Sequence, residues 1–162
     1  MAIVLAGILA VSMAAPAWGF TASGWKHHLL VRINSYRAAH GLHLLRVGPH
    51  LSRAARAHSN NMAAHHMLSH SSSSGLDWLS RLRYYGFRGS WAGENLAVGL
   101  WTPRHTLRMW IRSPEHRANL LNRHYRAIGI GITEGTWAGY RAYYITNDYG
   151  GPGGICGLFC LQ

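Results

Sequence analysis

Between positions 26 and 125 the apolar residues return every three or four positions, and beyond Tyr125 every two. In KHHLLVRINSYRAAHGL (26–42), Leu29, Ile33, Tyr36 and His40 fall on one helical stripe, with Arg37 at the surface and Gly41 as a stop. A turn at Gly48 and Pro49 opens a second helix, with Leu51, Ala55, His58, Met62 and His65 or His66 in step. SGLDWLSRLRYYGF (74–87) predicts a short helix whose stripe is Leu76, Leu79, Leu82 and Tyr85. GENLAVG (93–99) reads as a glycine-flanked loop. Thr102-Pro103 and Ser113-Pro114 each supply a cap and a first helical residue, opening TPRHTLRMWIRS and EHRANLLN. AIGIGIT and YRAYYITNDYG, parted by EGTWAG, predict an antiparallel hairpin. Helices first and strands last give an α+β domain rather than an alternating parallel sheet.

Composition fits this picture. The chain has 162 residues, 48% of them hydrophobic and 13% charged, which suits one globular domain with a core and excludes a disordered chain. The formal charge of +11 rests on arginine, since Lys26 is the only lysine. Such an excess favours anionic envelope surfaces as partners. The basic residues are scattered and match no nucleic-acid motif, so nucleic acid is not an expected partner.

Residues 2–15 are uncharged and apolar, and Ala15-Pro16-Ala17 offers a small-x-small cleavage site. We read 1–17 as a signal peptide, which places the protein outside the cytoplasm, secreted or periplasmic. Residues 18–27 read as a linker, 28–150 as the domain, and 151–162 as a glycine-rich tail carrying Cys156 and Cys160. Two cysteines are too few to frame a fold of this size.

Four histidines, His58, His65, His66 and His70, fall within thirteen residues. His66 and His70 have the i, i+4 spacing that places two imidazoles on one helix face, but Met67, Leu68 and Ser69 lie between them where a zinc protease has its glutamate. His58, His65 and His66 read as solvated residues near a helix end, where the dipole favours protonated histidine. The acids are few: Asp77, Glu94, Glu115, Glu134 and Asp148. Glu94 lies among apolar neighbours and needs a partner if it is buried. His70 and His116 are natural partners. Two histidines and one carboxylate are compatible with a divalent cation such as zinc or magnesium, and equally with a hydrogen-bonded network that holds a groove together. Trp91 and Trp110 read as core residues.

NSYRAAHGLHLL, AARAHSNNM, LSH, GENLAVG, the W-x-x-SPEHR-x-NLL run from Trp110 to Leu121, IGIG and YYITNDYG follow one another in order. Together they resemble the bacterial branch of the CAP superfamily, the SCP-domain family of cysteine-rich secretory proteins, antigen 5 and pathogenesis-related proteins. The resemblance covers about residues 28–150. It implies an α-β-α sandwich with a small, mainly antiparallel sheet flanked by helices around a cleft. It also implies a cleft set of His70, Glu94 and His116, with Ser113 where eukaryotic members carry a second acid and Glu115 close by. Asn95, Arg117 and Asn119 are expected to support that set structurally.

Two functions are consistent with this resemblance. The first is an extracytoplasmic module whose cleft binds a small apolar or peptide-like ligand. The second is a metal-dependent, peptidase-like hydrolase in which His70 and His116, with Glu94, hold the cation and Glu94 or His116 acts catalytically. Ser113 is a conceivable nucleophile, but capping is its expected role.

Overall fold

The change of period at Tyr125 becomes a hairpin in the computed structural model, which describes residues 21–100 and 102–152. The expected signal peptide and the Cys156 and Cys160 tail lie outside the described residues. In chain order the elements are α1 (Ala22–Ala38), β1 (Arg46–Val47), α2 (Pro49–Ala64), α3 (Trp78–Tyr84), β2 (Ala92–Gly99), α4 (Pro103–Arg112), α5 (Pro114–Leu120), β3 (Ala127–Trp137) and β4 (Tyr140–Gly150). The sheet order is β1-β3-β4-β2. The β3–β4 and β2–β4 pairs are antiparallel, and the two-residue β1, which the sequence reading missed, is parallel to β3. The fold is the α+β sandwich with a mainly antiparallel sheet.

Side chains alternate across a strand, so the register divides the sheet into two faces. One face presents Ile128, Ile130, Ile145 and Tyr149 to Trp25, Leu29 and Ile33 of α1 and to Leu107 and Trp110 of α4. The other presents Leu96 and Tyr144 to Met62 and Ala63 of α2. The second face also carries Glu94 opposite Asp148, with Gly129 opposite Asp148 on the next strand. Gly129 and Gly131 let α2 lie directly on the sheet. A Cβ at either would come within 2.1 Å of α2 backbone atoms of Leu51 or Ala55.

Several local expectations are corrected. Helix α1 starts inside the stretch read as a linker, because Thr21 Oγ1 accepts from the Gly24 amide (3.1 Å) and Trp25 reaches the core. Its buried stripe is Trp25, Leu29, Ile33 and Arg37, while His40 is exposed. Arg37 is therefore an interior residue: its guanidinium donates to the carbonyls of His43 (2.9 Å), Leu120 (2.7 Å) and Asn122 (3.1 Å), tying α1 to the end of α5.

His58 is also buried rather than on the helix surface. Helix α2 ends at Ala64 and His66 takes φ 49°, so His66 and His70 share no helix face. Helix α3 buries Arg81 and Leu82 and leaves Leu76 and Leu79 exposed, because Asp77 starts the helix by accepting from the Leu79 and Ser80 amides. GENLAVG is part of strand β2, not a loop. Most of its residues are buried, and a strand covered on both faces loses the alternation that would reveal it. Trp110 is core, whereas Trp91 is exposed and stacks on His124 at 3.8 Å.

Candidate functional site

The site is built around Glu94, which strand β2 holds on the α2 face. Its carboxylate is 5% exposed as a residue and has both oxygens engaged. Nδ1 of His70 donates to Oε1 (2.7 Å), and Nη2 of Arg81 donates to Oε2 (2.5 Å). The second nitrogen of the Arg81 fork donates to the His70 carbonyl and to Ser72 Oγ, both at 3.2 Å. One buried guanidinium thus fixes the carboxylate and also the backbone segment that carries its histidine. A carboxylate can only accept, so Nδ1 of His70 carries a proton and Nε2 is the ring nitrogen left to meet a ligand.

Asp148 lies across the strand pair from Glu94 and is wholly buried, and no hydrogen-bond donor reaches its oxygens. Burial, and then the charge of Glu94, push its carboxyl well above the usual carboxylate range against the opposing pull of Arg81. Asp148 is accordingly the member of the acid pair whose neutral form is favoured, while Arg81 faces the Glu94 carboxylate. His58 approaches from α2 and donates through Nε2 to the Ser69 carbonyl (2.8 Å). Burial holds its imidazole below the ordinary value, outweighing the opposing effect of Glu94.

His116 stands on α5. Its carbonyl accepts from Asn95 Nδ2 (3.0 Å), and its ring lies 6.4 Å from that of Trp110. Burial, followed by the neighbouring His70, lowers its pKa, with Glu115 acting in the other direction. His116 is therefore neutral at neutral pH. Asn119 donates to the Glu94 carbonyl (3.0 Å) and to Asn95 Oδ1 (2.9 Å), so the two asparagines join β2 to α5.

His70, Glu94, Glu115 and His116 line one cleft of about 310 Å³, with Trp78 and Asn119 also in its walls. Ser113 stands outside this lining: its hydroxyl caps α5 by accepting from the His116 amide (3.5 Å) and donates to Glu115 (2.9 Å). Arg117 donates to the Ile111 carbonyl at 3.5 Å and is not part of the cleft lining.

Among the described residues, no three His, Cys, Asp or Glu side chains are grouped so as to hold a metal ion. Both Glu94 oxygens are taken, so the donors left at the cleft are the imidazoles of His70 and His116 and the Glu115 carboxylate, of which Oε2 accepts from Ser113. Glu94 fits as the outer carboxylate that orients a ligating histidine, not as a third ligand.

The sequence reading missed Arg81, Asp148 and the inward His58. The place of Asp148 as the one acid in the β4 run was the signal available for it. Arg81 sits between leucines in a short helix and gives no comparable signal.

The fold and this His-Glu cleft define the class as an SCP-type α-β-α sandwich. The model of the cysteine-rich secretory protein (CAP) family matches residues 30–149, and the chain belongs to that family. YkwD of Bacillus subtilis is 31% identical over 112 residues, covering 69% of this chain and 44% of YkwD. Among solved structures, an extracellular SCP-domain protein of Bacillus anthracis superposes with a TM-score of 0.67 at 24% identity, over 82% of this chain and 44% of that protein. An outer surface protein of Borrelia burgdorferi gives 0.68 at 20% identity, over 78% and 92% of the two chains. The chain thus spans less than half the length of YkwD and of the B. anthracis protein. No helix among the described residues is long and apolar enough to cross a membrane.

Proposed function

We propose that this CAP domain is an extracytoplasmic binding module whose cleft receives a small peptide-like ligand, with His70 and His116 able to share a divalent cation. The observation that carries the reading is the pair of imidazoles on one cleft, one of them oriented by a buried carboxylate that is itself clamped by Arg81. Polar walls of His70, Glu115, His116 and Asn119 suit a hydrogen-bonding ligand better than a purely apolar one. The extracellular and outer-surface relatives, together with the apolar run at residues 2–15, support an address outside the cytoplasm.

A cation held here would supply Lewis acidity. His70 and His116 would bind it through two imidazole nitrogens and leave its other positions to water or ligand. A second reading is a metal-dependent hydrolase in which His70 holds the cation and an unligated His116, rather than the fully engaged Glu94, takes the proton.

Calorimetric titration of metal-stripped protein with Zn²⁺ at pH 7.5 tests the proposal. One ion should bind, and His70→Ala and His116→Ala should each abolish binding. Unchanged binding in either variant would remove the cation from the cleft. Peptide turnover lost in His116→Ala would select the hydrolase.

A further inference from the structure

We propose a second binding site, remote from the histidine cleft: the open edge of β3, between α1 and α2, accepts an extended acidic peptide as an added strand. Strand β1 covers only Ala127 and Ile128 of β3, which runs on to Trp137. The Gly48 amide donates to the Ile128 carbonyl (2.9 Å), so the backbone groups of Ile128 face away from β4. The two-residue period turns those of Ile130 and Ile132 to the same side. No strand among the described residues pairs with β3 there, so its N–H and C=O groups form a template for another chain.

A groove of about 400 Å³ lies at this edge. Val47 and Ile130 contribute its floor, Lys26 and Leu30 of α1 one wall, and Arg53 and Arg56 of α2 the other. It shares no lining residue with the histidine cleft.

Charge identifies the occupant. The chain has five Asp and Glu side chains, and each is engaged or buried. Asp77 caps α3, Glu94 binds His70 and Arg81, Glu115 binds Ser113, Glu134 binds Arg141, and Asp148 is buried. None is left for the groove. Arg53 reaches the His50 ring and the Tyr85 carbonyl, and neither is an anion.

Cations that blunt a sheet edge usually sit on the edge strand itself. Here the edge positions are isoleucines, and the cations stand on the two flanking helices. A strand sends successive side chains to opposite faces, so adjacent acidic residues of an added peptide would meet Lys26 on the α1 side and Arg56 on the α2 side. Backbone pairing supplies affinity and the alternate side chains supply specificity, as in other strand additions. Residues 1–20 contain no acid and do not match this pattern.

The test uses fluorescence anisotropy with a short labelled peptide carrying adjacent glutamates between valines. One control replaces the glutamates with lysines, and another keeps them but replaces the valines with prolines. Only the first peptide should bind. Arg56→Glu should weaken it at least about tenfold, equivalent to about 1.4 kcal/mol. Ile132→Pro, which removes an outward amide and spares the β4 ladder, should abolish binding. His116→Ala should bind as the unaltered protein does.

Hydrogen exchange at the Ile130 and Ile132 amides should slow when the peptide is added. That measurement and Arg56→Glu decide the matter if Ile132→Pro fails to fold. Equal binding of the proline peptide would mean adsorption by charge alone and would overturn the proposal, as would exchange that the peptide leaves unchanged. Sedimentation showing that the edge is filled by a second copy of this chain, with no peptide bound, would overturn it too.

Discussion

The two faces of the sheet are built on opposite principles. Toward α1 and α4 the interior is aromatic and aliphatic, with Trp25, Leu29, Ile33, Trp110 and Tyr149 interlocked. Toward α2 and α3 the same sheet carries Glu94 and Asp148, with Arg81 and His58 buried beside them. Burying apolar surface stabilises without needing partners, whereas each buried charge needs compensation that only a completed fold provides. The first face holds the domain together. The second spends some of that stability to fix His70 at the rim of a cleft.

The comparison breaks most directly at Arg81. Replacing it with Met leaves the acid pair without its cation, a loss of about 3–5 kcal/mol for a broken buried pair. Urea denaturation should show it. Adding Glu94→Gln and Asp148→Asn should restore much of the loss, because the uncompensated charge goes with them. If the triple variant is as unstable as Arg81→Met, packing rather than charge dominates this face.

On the apolar face, Leu29→Ala should cost about 2–5 kcal/mol through lost burial and the cavity left behind. Leu29 is fully buried in the larger cluster. Below the unfolding transition this variant should bind Zn²⁺ as before, since Leu29 packs on the sheet face opposite Glu94 and lies outside the cleft lining. Reduced affinity in the folded variant would show that the two faces are coupled.

Glu94→Gln gives a smaller effect with a sharper meaning. If Glu94 orients His70 rather than ligating, its loss should weaken Zn²⁺ binding by about 10–100-fold, the range for outer-shell partners, with one ion still bound. His70→Ala should remove the site altogether. Calorimetry distinguishes the two, and abolished binding in Glu94→Gln would make the carboxylate a ligand after all.

The same contrast explains what could be read from the chain. Caps and turns are local, so Thr102-Pro103, Ser113-Pro114 and the β3–β4 hairpin followed from neighbouring residues alone. The apolar stripe of α1 was legible as far as Ile33. It failed at Arg37, whose burial depends on carbonyls of Leu120 and Asn122 far along the chain. Arg81 and His58 were lost for the same reason: a charged or polar side chain looks like surface until its distant partners are in place. The strand in GENLAVG was hidden because flanking glycines imitate a loop and burial on both faces removes alternation. His70, Glu94 and His116 were found through a resemblance carried by motif order. Their meeting at one cleft follows from β2, α5 and the segment before α3 converging, which spacing does not encode.

Acidity provides the finest test, because two buried groups on the polar face act with opposite signs. Burial lowers the imidazole of His58, so below its ordinary value of about 6.5 the unfolded chain takes up a proton that the folded protein refuses, and stability falls as pH falls. His116 contributes in the same direction. Asp148 is raised, so above about 3.8 the folded protein keeps a proton that the unfolded chain releases, and stability falls as pH rises toward the folded value. Above the ordinary aspartate value of about 3.8 and below the ordinary histidine value of about 6.5 the two effects oppose each other, and the unaltered protein should have a flattened profile. Removing one should reveal the other. Thermal midpoints of Asp148→Asn should drop as pH is lowered through this range, leaving the histidine slope, while those of His58→Gln should drop less or rise. Parallel profiles in the two variants would mean that the acid pair and the histidine do not titrate as opposed groups, and that the polar face is held by packing as the apolar one is.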